Sequence, residues 1–283
     1  MNQPLIGLTL GGLGLDSPET EQSVLEGFLR LRQETPLNAV EFWMAPEHRP
    51  RPGVYWPEDY SPPRRELMAG FLRHFEWCGV HLPFLFNNYI APNPAVARPA
   101  RRQLELGIEI AGGLGARYCV VHAEWDNRGF LTPEQNLQRY VEVFGTLCDL
   151  AAKSGMLFCV ETCFFAQTPD VIEQLIAGVA RENYGVTLDA GKAMLNNGGN
   201  AGLHRLIERV GERIRGTHLY DYPAEGDYRR ILPGGGVVDI PGVVARLRRL
   251  DYAGSYHLET GGDYDQQKAA ILALHALVKQ AQL

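Results

Sequence analysis

A chain of 283 residues, 45% hydrophobic and 21% charged, with no low-complexity tract, has the composition of a globular protein with one large core rather than a disordered or fibrous one. Its formal net charge of −6 gives no general attraction to phosphate backbones or anionic lipid, which disfavours nucleic acid and membranes as partners. The opening MNQPLIGLTLGG has neither a basic start nor an apolar run long enough for a secretion signal or a membrane span, so a cytoplasmic protein is expected.

Short β-rich runs alternate with longer stretches of helical spacing. The first strand is read over 5–10, followed by Asp16-Ser17-Pro18-Glu19, a helix start with a cap, a proline and an acid. The second strand, 39–43, leads into a Pro-rich stretch, 44–63, read as an elaborated loop forming one wall of a site. A helix over 64–78 follows, with Leu67, Phe71, Leu72 and Phe75 on its buried face and Gly79 as its stop. Strands are then expected at 80–84 and, after Gly115, at 118–122. Thr132-Pro133-Glu134-Gln135 opens a helix that buries Leu137, Tyr140, Val141, Phe144 and Cys148 and stops at Gly155. The fifth strand is read at 157–161, a helix start at Thr168-Pro169-Asp170, strands at 185–188, 216–219 and 255–259, and a last helix over 265–282. Five cysteines without a C-x-x-C pair, mostly inside apolar segments, read as reduced core thiols.

Eight strands separated by helices predict parallel β-α-β units, and over residues 1–283 they fit a single α/β domain, a closed (β/α)8 TIM barrel. A dinucleotide fold fits less well, because GGLGLDS after the first strand lacks the G-x-G-x-x-G spacing.

Catalytic groups of such barrels lie at the C-terminal ends of the strands. Those positions carry Glu41, His81, His122, Glu161, Asp189, His218 and Glu259. Singly, each is as readily a solvated acid or a hydrogen-bonded structural histidine. Together, Glu161, Asp189, His218 and Glu259 sit on four successive strands and would converge on one ion. Three carboxylates and an imidazole suit one divalent cation, Mn²⁺, Mg²⁺ or Co²⁺ ahead of Zn²⁺.

FCVET, GVTLDAGK, GTHLYDY, PGGGVVDIPGVVARLRRLDYAG and SYHLET, containing Glu161, Asp189, His218 with Asp221, Gly234 to Asp239, and Glu259, appear in the order found in one family. By these motifs the chain resembles the xylose isomerase-like TIM barrels, which include sugar isomerases, ketose 3-epimerases and endonuclease IV. The resemblance implies a metal-dependent isomerase or epimerase of a sugar, sugar phosphate or small hydroxy-keto compound. In it Glu161 and Glu259 move the proton through a metal-stabilised enediolate, on a small polyhydroxy substrate, in a homodimer or homotetramer. Endonuclease IV-like repair needs a histidine where Lys192 stands and an Asp-x-His where Asp227 is followed by Arg229, so the chain departs from that branch at both places. A dehydratase using the same metal and a non-catalytic barrel are the remaining alternatives.

The other polar positions take supporting readings. His81, His122 and Lys192 are candidates for substrate oxygens, with Glu41 orienting one of the two histidines, and a polar network or ion pair as the plain alternative. Arg229 and Arg230 leave room for an anionic substrate. Trp43, Trp125 and Phe164 could cover a sugar's C–H face or simply pack. His257 falls one layer deeper than Glu259, and Asp221 either orients His218 or caps its loop. The glycines at 234 to 236 carry only a weak phosphate signal.

Overall fold

Each of eight parallel strands hydrogen-bonds to its successor in the chain, and β1 (Ile6–Thr9) returns to pair with β8 (Ser255–Leu258), closing the barrel. Between them lie β2 (Leu37–Trp43), β3 (Trp77–His81), β4 (Tyr118–Val121), β5 (Leu157–Glu161), β6 (Tyr184–Asp189) and β7 (Ile214–Leu219). The computed structural model describes residues 3–10, 21–44, 54–84, 87–124 and 131–281. Among these, α1 (Glu21–Glu34), α2 (Pro62–Leu72), α3 (Pro94–Gly113), α4 (Pro133–Ala152) and α5 (Pro169–Val179) follow the first five strands in turn. Helices α6 (Ala190–Asn196) and α7 (Asn200–Val210) both follow β6, α8 (Ile240–Arg249) follows β7, and α9 (Tyr264–Gln280) follows β8.

Local chemistry explains most of these boundaries. Thr132 and Gln135 form a reciprocal capping box at the start of α4, and Asp263 with Gln266 does the same for α9. Gly115 and Gly155 take φ of +81° and +68° after α3 and α4, a left-handed turn that glycine makes without steric cost. The Asp16 helix start lies outside the described residues, as does the end of the expected last helix. All five cysteines are buried and free. No helix among the described residues is long and apolar enough to cross a membrane.

The third strand departs from expectation, and the cause is inside the barrel. Gly79 is a strand residue of β3 rather than a helix stop, and α2 ends seven residues before it, at Leu72. A Cβ at Gly79 would run into the Tyr118 ring, so this strand needs glycine for space and not for a turn. Leu67, expected on the buried face of α2, is 41% exposed. Gly7 plays the same part opposite β8, where a Cβ would strike the His257 ring. These two gaps let Tyr118 and His257 lie across the barrel interior beneath the mouth, while Phe42, Val121, Phe158, Val186 and Leu219 join the apolar layer that includes α-helical Phe28, Phe144 and Leu206.

Candidate active site

The strand ends bring Glu41, His81, His122, Glu161, Asp189, His218 and Glu259 to one end of the barrel, each at most 5% exposed. Glu161, the last residue of β5, lies at the centre. Its Oε2 is 3.0 Å from His122 Nε2, 3.3 Å from His81 Nε2 and 3.4 Å from His218 Nδ1, while Oε1 accepts a hydrogen bond from the Lys192 ammonium. Burial alone would raise this carboxyl, but Lys192 and His122 outweigh it and hold Glu161 well below the usual range. Burial pushes His122 down to about 4, leaving a neutral ring at neutral pH.

Asp189 ends β6 and caps α6. Its Oδ1 accepts from the Lys192 amide at 2.8 Å and from the Tyr220 hydroxyl at 2.7 Å, and Oδ2 is 3.2 Å from Lys192 Nζ. Burial raises its carboxyl against the opposing charge of Lys192. Glu259, one residue past β8, pairs with Arg230 Nη1 at 3.0 Å, and the Arg230 guanidinium stacks over the Tyr220 ring at 4.4 Å. Burial would raise Glu259, yet Arg230 and His218 hold it low.

His218 is fixed from below. Its Nε2 is 3.0 Å from Glu41 Oε1, and Glu41 Oε2 accepts from the Tyr118 hydroxyl at 2.9 Å. With Nε2–H donated to Glu41, Nδ1 faces the mouth, 3.4 Å from Glu161 and 3.6 Å from Glu259. Burial would lower this imidazole, but the Glu41 and Glu259 charges raise it well above its ordinary value. The expected orienting role of Glu41 therefore falls on His218 instead of on His81 or His122. Asp221, the other candidate for that role, accepts from the amides of Tyr222, Gly234, Gly236 and Val238. It closes the glycine-rich loop, and two of the three glycine amides that a phosphate would need there, those of Gly234 and Gly236, are already engaged.

The remaining expected residues divide plainly. His257 lies deeper, its Nδ1 3.4 Å from the Tyr118 hydroxyl, and burial pushes it down to about 4. The Trp43 ring packs 5.7 Å from His81 and 6.1 Å from Phe84, and is 9% exposed. Phe164 stands 5.3 Å from the His122 ring, 46% exposed, with φ of +49°, a backbone strain of the kind found beside ligand sites. Trp125 lies outside the described residues. Arg229 points away, 78% exposed and paired with Asp227, and its neighbour Arg230 enters the site instead. The adjacent arginines are plain in the sequence, but the irregular segment between β7 and α8 has no period to show which of them turns inward. Tyr118 and Tyr220 were missed altogether; the facing Gly79 was the available signal for the first.

Among the described residues, two groups of side chains offer donor atoms within 4.8 Å of one another, His81 with His122 and Glu161, and Glu161 with Asp189 and His218. Asp189 Oδ2, His218 Nδ1 and Glu259 Oε2 are buried without a well-formed hydrogen bond. The two carboxylates facing Nδ1 favour positive charge at that point, which a proton on His218 supplies in the metal-free chain and a divalent cation bound in its place would supply equally, so this donor set fits such a cation.

The Glu41 carboxyl carries a pH signature. Burial would raise it, but the charge and hydrogen bond of His218 outweigh burial and hold it at about 2 against an ordinary 4.5. A folded pKa below the unfolded one stabilises the native state above the unfolded value, and that stability is lost as pH falls toward the folded one. Between pH 7 and pH 3 the loss from this group is on the order of 2 kcal/mol. Urea unfolding at the two pH values should therefore show a smaller acid loss for Glu41→Gln than for the parent chain; an equal loss would mean that Glu41 is not ionised in this bond.

Residues 29–280 match the family described as xylose isomerase-like TIM barrel. No curated protein matches the sequence. Among solved structures, a D-tagatose 3-epimerase-like protein superposes with a TM-score of 0.77 at 18% identity, over 99% of this chain and 100% of that one. A D-psicose 3-epimerase with D-tagatose from Clostridium cellulolyticum H10 gives 0.73 at 14% identity, over 98% of both chains. An IolI protein with a bound zinc atom gives 0.71 at 15%, over 98% of this chain and 96% of that one.

Proposed function

The chain belongs to the xylose isomerase-like TIM barrel family, and from that premise we propose that it is a metal-dependent isomerase or epimerase of a small polyhydroxy carbonyl compound, a ketose or hydroxy-keto acid. The observation that carries the reading is the pair of carboxylates, Glu161 and Glu259, reaching His218 Nδ1 from two strands at 3.4 and 3.6 Å. Two bases on either side of one point can remove a proton from a carbon next to a carbonyl and return one from the other side. Return to the opposite face inverts that carbon; return to the neighbouring carbon moves the carbonyl. The epimerase names among the superposable structures favour the first outcome.

Glu161, Asp189 and His218, with Glu259 3.6 Å from His218 Nδ1 as the fourth, would hold the ion, Mn²⁺, Mg²⁺ or Co²⁺ by the oxygen-rich donor set, with zinc as the IolI precedent. A divalent ion bound there supplies Lewis-acid polarisation of the carbonyl. Glu41 fixes the His218 tautomer, His81 and His122 hold the Glu161 carboxylate in place, and Phe164 with Trp43 offers apolar surface to carbon-bound hydrogens. Nuclease chemistry of the endonuclease IV kind is disfavoured, since Lys192 stands where a metal-binding histidine would be needed and its ammonium is engaged by carboxylates.

Metal removal is the direct test. Conversion of a panel of ketoses, starting with D-tagatose, D-psicose and L-ribulose, should vanish in protein stripped with a chelator and return with one equivalent of Mn²⁺ or Co²⁺. A purified protein with no stoichiometric metal and no metal-stimulated turnover would defeat the reading.

A further inference from the structure

Lys192 holds an unusual place among the acids. Its backbone amide donates to Asp189 Oδ1 while its own ammonium lies 3.2 Å from Asp189 Oδ2, so one lysine grips both oxygens of that carboxylate. The same ammonium donates to Glu161 Oε1. The second Glu161 oxygen is taken by His81 and His122, and the first Asp189 oxygen also by Tyr220. Every oxygen of these two carboxylates is thus in contact with a group of the protein itself. Arg230 Nη1 stands 3.0 Å from one oxygen of Glu259, Oε2. Two internal cations thus offset two of the three buried negative charges in the metal-free chain.

We infer that Lys192 is an internal competitor of the metal: its ammonium occupies the Glu161 and Asp189 oxygens in the metal-free chain, and a divalent ion binds only by displacing it. The inference rests on the metal-dependent reading above. An ion needs lone pairs that point at it, and an ammonium that donates to Glu161 Oε1 and stands 3.2 Å from Asp189 Oδ2 excludes it by position and by charge. The Lys192 side chain is 22% exposed, so it has a route outward toward the mouth when it lets go. The competition lowers metal affinity and leaves the metal-free barrel with its acids paired. Once displaced, the ammonium stands beside the ion site, free to meet a substrate oxygen.

The test is a calorimetric titration of the full chain, stripped of metal, with Co²⁺ alone. Lys192→Met removes the competitor, and Lys192→Gln keeps a neutral donor for Glu161 in case the methionine variant folds poorly; circular dichroism checks each. Both variants should bind one Co²⁺ roughly tenfold or more tightly than the parent chain, because the acids no longer have to release a cation first. Equal or weaker binding by the variants, with one ion bound by the parent, overturns the inference and leaves the metal-dependent reading standing. Binding by the variants but not by the parent would mean an ammonium that no ion displaces, and removes both the inferred displacement and that reading. Binding by neither removes both.

Discussion

Glu161→Gln is expected to lower turnover by about a thousandfold or more while the barrel stays folded. The amide matches the carboxylate in shape, so packing among the surrounding strands is preserved, but it has no lone pair basic enough to take a proton from carbon. It also changes four contacts at once. His81, His122 and His218 lose the negative charge they surround at 3.0 to 3.4 Å, and Lys192 is left with Asp189 alone. Glu161 belongs to both donor groups found among the described residues, so its loss touches each of them. The measurement is conversion of the active ketose together with solvent deuterium incorporation at the inverted carbon, read by proton NMR at saturating Mn²⁺. Both should collapse together. A variant whose turnover stays within tenfold of the parent would remove Glu161 from the proton path.

The barrel and the ring of acids and imidazoles were legible because they depend on period and position. A parallel strand buried on both faces ends where its apolar run ends, and the next residue stands at the mouth. Glu161, Asp189, His218 and Glu259 could therefore be placed on strands from spacing alone, and the family motifs fixed their order. What sequence could not supply was pairing across the barrel. Glu41 and His218 are 177 residues apart and meet because Gly79 lets Tyr118 lie beneath them and support the second Glu41 oxygen. Spacing carries no information about that choice, so Glu41 was matched to the nearer histidines. Lys192 was legible as a departure from the pattern and as an ion pair, but not as a grip on two acids, since side-chain reach into a site is set by packing. Arg229 and Arg230 show the limit most sharply: adjacent, identical in chemistry, and opposite in direction.

Glu259→Gln should leave one half of the reaction working while product formation stops. If Glu161 serves one face of the substrate carbon and Glu259 the other, the glutamine variant keeps one working base. Conversion should fall by about a thousandfold, because no group remains to handle the proton on the second face. The epimer whose hydrogen points toward Glu161 should still exchange that hydrogen with deuterated water, and the other epimer should not. The comparison has to be made at saturating Mn²⁺, since the variant also loses a carboxylate from the ion site. Arg230, released from its 3.0 Å contact with Glu259, remains stacked on Tyr220 and adds no base in its place, because a guanidinium keeps its proton at any pH of the assay. Exchange of both epimers at parental rates would show that Glu259 moves no proton and serves the site only by its charge. Exchange of neither would show that both half-reactions pass through Glu259, and a single shuttling carboxylate would then replace the two-base scheme. One-sided exchange is the result that two carboxylates flanking a single imidazole nitrogen require, and no purely structural role for Glu259 produces it.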